Sequence, residues 1–164
     1  MTDTSLYETD IVAWADRQVE ELRRLAEAGI TNSVDWANVI EEIESVGRSE
    51  RYAVESLLTN ALSHLIKVVA DPDSLSARAW RQEIASFLDQ ASGRVTPAMR
   101  AGLDLDELWQ DALKRARSSL KIYSRPFPTD VPETCPFGIG DLLGKDIDVE
   151  ALIAKLQAGR RGPG

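Results

Sequence analysis

The sequence predicts an all-α fold: a helical bundle of about four main helices, one of them long and central, followed by an irregular C-terminal segment. Apolar residues recur three and four positions apart through most of the chain, which is the period of a helix with one buried face. No stretch alternates apolar and polar residues as a half-buried strand would. Proline and glycine gather between Ser124 and Gly144, where a loop laid over the bundle is expected. With 164 residues, 43% of them hydrophobic, there is enough apolar material for one core, so residues 1–164 are expected to form a single helical domain.

The first helix is predicted over residues 10–28, with Ile11, Trp14, Ala15, Val19, Leu22 and Leu25 on one face, Thr9 as its cap and Gly29 as its stop. The second starts at Asp35, a good N-cap before Trp36, and continues until Asp71-Pro72 ends it. At about 1.5 Å per residue it would span on the order of 50 Å. Gly47 lies on its apolar face, where a missing side chain lets another helix cross closely. A third helix is predicted over 74–91, closed by Ser92-Gly93, and Thr96-Pro97 opens a short helical turn. The fourth main helix runs from Leu105 to Tyr123 behind the cap Asp104. Asp148 caps a short helix over about 149–156, and residues 158–164 are expected to be a disordered tail. All four tryptophans occupy helical core positions, where burial is a sufficient role.

The formal charge of −8 repels nucleic acid at long range, so a nucleic-acid role is not expected. Lys114, Arg115, Arg117, Lys121 and Arg125 form a local basic run, read as charges opposing the negative end of their own helix dipole. No apolar run is long enough for a membrane span, and the first residues lack a basic-then-apolar leader pattern. A cytoplasmic protein is therefore expected. The single cysteine, Cys135, forms no internal disulfide and reads as part of a packed Cys135-Pro136 turn.

The long helix carries the candidate site. Trp36, Ile40, Ile43, Gly47, Glu50, Val54, Leu57, Ala61, His64 and Val68 make its seam, and Glu50 and His64 are the two ionisable groups on it. A charged group on an apolar stripe must find a partner or change protonation state. The neighbours of Glu50 at one turn, Val46, Gly47, Ala53 and Val54, offer none, so a partner from another helix is expected, such as Arg78 or Arg81 beside Trp80. Asn60 and Lys67 lie within a turn of His64. Glu41, Glu42 and Glu44 make the start of the helix acidic, with Arg48 positioned to pair with Glu44 at i,i+4. Glu41 and Glu44 could share one cation, but no matching carboxylate set or Glu-x-x-His occurs on another helix, so neither a metal nor another cofactor is expected.

Tyr7-x-x-Asp10 with Trp14, Asp35-Trp36, Glu41-Glu42-Ile43-Glu44, Gly47-Arg48-Ser49-Glu50, His64-Leu65-x-Lys67, Trp80 with Ile84, and Phe127-Pro128 before Cys135-Pro136 follow one another along the chain. In that order they resemble the bacterial domain of unknown function family 29. The likeness covers residues 7–138. It implies a small bacterial helical protein without an assigned activity, and it marks Glu41, Glu42, Glu44, Arg48, Glu50, His64, Lys67 and Trp80 as the residues to watch. The expected function is a protein-interaction or small-molecule-binding module, with a homo-oligomer or a protein partner expected because the long seam outreaches the helices predicted to cover it. The competing reading is a divalent-metal-dependent hydrolase acting on a phosphorylated substrate through helix-borne carboxylates.

Overall fold

A computed structural model describes residues 3–160, which form eight helices and no strand. In chain order these are α1 (Asp3–Thr9), α2 (Ile11–Glu27), α3 (Trp36–Ala70), α4 (Ala77–Arg94), α5 (Pro97–Ala101), α6 (Leu105–Ile122), α7 (Ile139–Leu142) and α8 (Val149–Arg160). No helix among the described residues is long and apolar enough to cross a membrane. The chain packs as two units, Met1–Val54 with Thr96–Leu103, and Glu55–Val95 with Asp104–Gly164.

In the first unit, α2 is capped by Asp10 rather than by the expected Thr9. Thr9 closes the additional helix α1, where its hydroxyl donates to the Ser5 carbonyl. Asp10 is buried, and its two carboxylate oxygens serve two helix starts. Oδ1 accepts from the Ala13 amide of α2 at 3.0 Å and Oδ2 from the Ala98 amide of α5 at 2.8 Å. Both amides are among the donors that a helix's first turn leaves unsatisfied. Gly29, at φ +63°, ends α2 in the left-handed region that glycine adopts without strain. Helix α3 passes through Gly47 without a break. A Cβ built at Gly47 would lie 3.4 Å from the Ala15 Cβ of α2, so two small residues set a close approach of these helices.

In the second unit, the buried face of α3 runs from Leu58 to Val69, with Leu62, Leu65 and Ile66 inaccessible to solvent. Helix α4 adds Trp80, Ile84 and Leu88, and α6 adds Trp109, Ala112, Ala116 and Leu120. Two tryptophans, Trp80 and Trp109, are thus buried as expected, whereas Trp14 and Trp36 are only half-buried. Helix α4 starts and ends three residues later than expected: a turn over Ser74–Ala77 precedes it, and Ser92 and Gly93 continue as helix.

The proline-rich segment after α6 is held to that helix by its backbone. The Trp109 indole donates to the Pro132 carbonyl at 2.9 Å, and Asp106 Oδ1 accepts from the Cys135 amide at 2.7 Å. Helix α8 extends to Arg160, past the expected end at 156, and buries Leu152, Ile153 and Leu156. Residues 158–160, expected in a disordered tail, are helical because Arg160 donates to the Val69 carbonyl at 2.9 Å and pairs with Asp130 at 2.8 Å. Residues 161–164 lie outside the described residues.

Candidate functional site

Three of the residues marked in the sequence meet in the second unit. His64 and Lys67 lie one turn apart on α3, and Trp80 faces them from α4. His64 Nδ1 donates to the Asn60 carbonyl at 2.8 Å; a carbonyl oxygen only accepts, so this nitrogen carries the ring proton. Nε2 lies 2.7 Å from Glu83 Oε2 of α4 and 3.4 Å from Lys67 Nζ. Phe87 meets the imidazole edge-on at 5.6 Å, and Lys67 Nζ stands 4.7 Å from the Trp80 ring centroid, within cation–π range. On the other side, Arg115 of α6 donates to the Asn60 side chain at 2.8 Å.

Burial dominates the electrostatics. It pushes the His64 pKa below its ordinary value, the nearby Lys67 charge adds to that, and the Asn60 and Glu83 contacts oppose it. Lys67 is buried apart from 7% of its surface, and that desolvation lowers its pKa while the Glu83 charge works the other way. Both shifts favour the uncharged forms, so His64 takes up its second ring proton only on acidification.

Trp80 also walls a cleft of about 250 Å³, together with Leu75, Leu120 and Tyr123. The charged residues lining it, Asp71 and Arg125, pair with each other at 3.2 Å. Large apolar side chains surround it in the open. Leu75 is fully exposed at 104% and Tyr123 at 66%. A larger groove of about 600 Å³ lies between α6 and the proline-rich segment, where Arg117 stacks on Phe127 at 4.6 Å. The basic run of α6 is thus spent locally. Lys114 pairs with Asp111, Arg115 holds Asn60, Arg117 covers Phe127 and Arg125 pairs with Asp71, while Lys121 is exposed.

The remaining marked residues belong to the first unit. Arg48 binds Glu41 at 2.6 Å and Glu44 at 3.6 Å, and Glu44 also holds Arg23 of α2. Glu42 is exposed and Glu50 half-buried. The carboxylates that could have shared a cation are occupied by arginines, and no three His, Cys, Asp or Glu side chains among the described residues form a metal-holding group. Beside them, a cleft of about 220 Å³ is lined by Asp16, Glu44, Gly47, Arg48 and Arg51. The Arg51 Nε there is buried without a hydrogen-bond partner among the described residues. Arg81, expected as a partner for Glu50, instead binds Glu150 of α8 at 2.8 Å. Glu50 belongs to the first unit and His64 to the second.

Glu83 and the cleft residues Leu75 and Tyr123 were not legible as site residues. Glu83 falls three positions after Trp80 on one helix face, the one signal that could have found it. Cys135 is half-buried in an irregular stretch, and burial raises its thiol pKa, with Asp106 and Asp141 adding to the effect, so it stands as a protonated thiol.

A family model described as a domain of unknown function, DUF29, matches residues 6–154. No curated protein matches the chain. A crystal structure of an alpha-helical protein of unknown function from Rhodospirillum rubrum is 26% identical, with a TM-score of 0.82 over 92% of this chain and 96% of its own.

Proposed function

We propose, for a chain that belongs to the DUF29 family of domains of unknown function, a role as a helical interaction module that pairs with a second copy of itself through the Trp80 cleft. The observation that carries this reading is a fully exposed leucine on the rim of an apolar cleft. Leu75 stands clear of its own fold beside a space of about 250 Å³ walled by Trp80, Leu120 and Tyr123. That space is smaller than the pockets that enclose drug-sized molecules and suits one apolar side chain. A twofold contact needs a surface that carries both a projection and a matching recess, since each copy contributes the same patch. Leu75 and the cleft supply the two.

Charge is compatible with the same partner. Asp71 and Arg125 pair with each other at 3.2 Å on the cleft wall, so neither brings an unbalanced charge to a twofold contact with a second copy. Trp80, Tyr123 and Arg125 are the residue types that dominate binding energy at protein interfaces. We further infer a bacterial cytoplasmic setting, which the Rhodospirillum rubrum relative and the lone free cysteine support.

Light scattering on size-exclusion fractions over a range of concentrations tests the pairing. The wild-type chain is expected to shift from one copy to two as concentration rises, and Leu75→Asp to remain a single copy with an unchanged circular-dichroism spectrum, because Leu75 makes no core contact to lose. A wild-type chain that stays a single copy throughout, or a Leu75→Asp chain that still pairs, would overturn the reading.

A further inference from the structure

The two neighbours of His64 Nε2 require opposite protonation states. With the ring proton on Nδ1, Nε2 presents a lone pair that accepts from the Lys67 ammonium at 3.4 Å, while the Glu83 carboxylate at 2.7 Å offers only more lone pairs. A proton added at Nε2 reverses both relations. The imidazolium donates a charge-assisted bond to Glu83 and faces Lys67 as a like charge. One nitrogen cannot satisfy both partners at once. The charged groups that bear on it are Lys67 on its own helix, Glu83 on α4 and, through Asn60, Arg115 on α6.

Lys67 carries this choice to the cleft, because the same ammonium lies over the Trp80 ring that forms the cleft wall. We propose that His64 is a proton-operated control of that wall: taking up a proton hands Nε2 to Glu83, drives Lys67 off Trp80 and weakens the pairing of copies. The last step rests on the function proposed above. Burial and the Lys67 charge hold the His64 pKa below its ordinary value of 6.5, so the neutral, pairing-competent form prevails at pH 7 and the control acts on acidification. Coupling of this kind between two sites is on the order of tenfold in affinity.

The chain has one histidine, so its ring resonances in a carbon-correlated NMR spectrum identify themselves. In a pH titration, the Trp80 indole N–H resonance, identified by its loss in Trp80→Phe, is expected to move with the same midpoint as His64. Lys67→Met removes the cation that disfavours the imidazolium and should raise that midpoint. Glu83→Gln removes the anion that favours it and should lower it; Glu83 is solvent-exposed, so this variant keeps the test independent of folding. Light scattering should show the wild-type dissociation constant rising about tenfold through the transition and that of His64→Gln staying constant. An indole resonance that ignores His64, or equal pH dependence of pairing in wild type and His64→Gln, would overturn the control while leaving the pairing intact. A chain that never pairs but whose Trp80 still follows His64 sinks the pairing and upholds the control of the cleft wall.

Discussion

Asp10 does with one carboxylate what two caps would otherwise do. Each oxygen accepts from the first turn of a different helix, and although burial raises its pKa, hydrogen bonds from Ala13 and Ala98, with others from Thr96 and Val12, hold it below the ordinary carboxylate value. Asp10→Ala is expected to cost about 2 kcal/mol in a urea denaturation, the loss of a cap plus a buried acceptor, with Asp10→Asn milder. Because the folded pKa lies below 3.8, the stabilising contribution is complete above that pH and disappears as pH falls through the folded value. His64 has the opposite chemistry and the same direction. A base with a depressed folded pKa binds fewer protons folded than unfolded below pH 6.5, so its contribution is fully present above 6.5 and is lost on acidification. Comparing denaturation midpoints of wild type and His64→Gln from pH 7.5 down to 5 isolates that loss; identical profiles would contradict it. His64 was visible in the sequence because a titratable group on an apolar stripe is a conflict within one helix. Glu83 was not, because its pairing is made across a turn between helices, and no local pattern reports where a neighbouring helix will point its side chains.

At the scale of elements, the strongest periodicities translated most directly. Helices α2, α3 and α6 begin and end within about a residue of expectation, since each start is marked by a capping aspartate: Asp10, Asp35 and Asp104. The misplaced bounds of α4 have a local cause. The Ala77 amide donates to the Ser74 carbonyl and the Ser76 amide to the Ser74 hydroxyl, so serines at the start satisfy a turn in place of a helix. Gly47 gives an element-level test. A methyl group there would meet Ala15 at 3.4 Å, which is ordinary contact, while the helix would gain the propensity that glycine lacks, so Gly47→Ala should be neutral to about 1 kcal/mol stabilising. Gly47→Leu should destabilise, because a longer side chain has no room at that approach; thermal melts of the two variants distinguish these outcomes. For α8, the fully buried Leu156 predicts that Leu156→Ala costs about 3 kcal/mol, a value that a frayed appendage would not give.

For the molecule as a whole, the seam of α3 marks a deeply buried stretch of the second unit and is an incomplete guide to the surface proposed for pairing. Its second half is the most deeply buried stretch, whereas its first half, from Trp36 to Ile43, stays half-open. The cleft beside Trp80 adds to that marked residue others from a turn and from the end of α6, far apart in sequence and without a pattern linking them. Such a surface exists only after folding, and for that reason composition and spacing did not announce it. The pairing and its acid sensitivity are accordingly expectations about an assembled face, to be measured on the intact chain.

The uninterrupted α3 also bears on how the protein can be taken apart. The two packing units divide between Val54 and Glu55, in the middle of that helix and next to a fully buried valine. A fragment ending there would leave the last four carbonyls of one piece without donors and the first four amides of the other without acceptors in the helix. Expression boundaries drawn at that junction should yield insoluble or unfolded halves, while co-expression of the severed pieces offers a direct way to ask whether the helix can be reassembled from its parts.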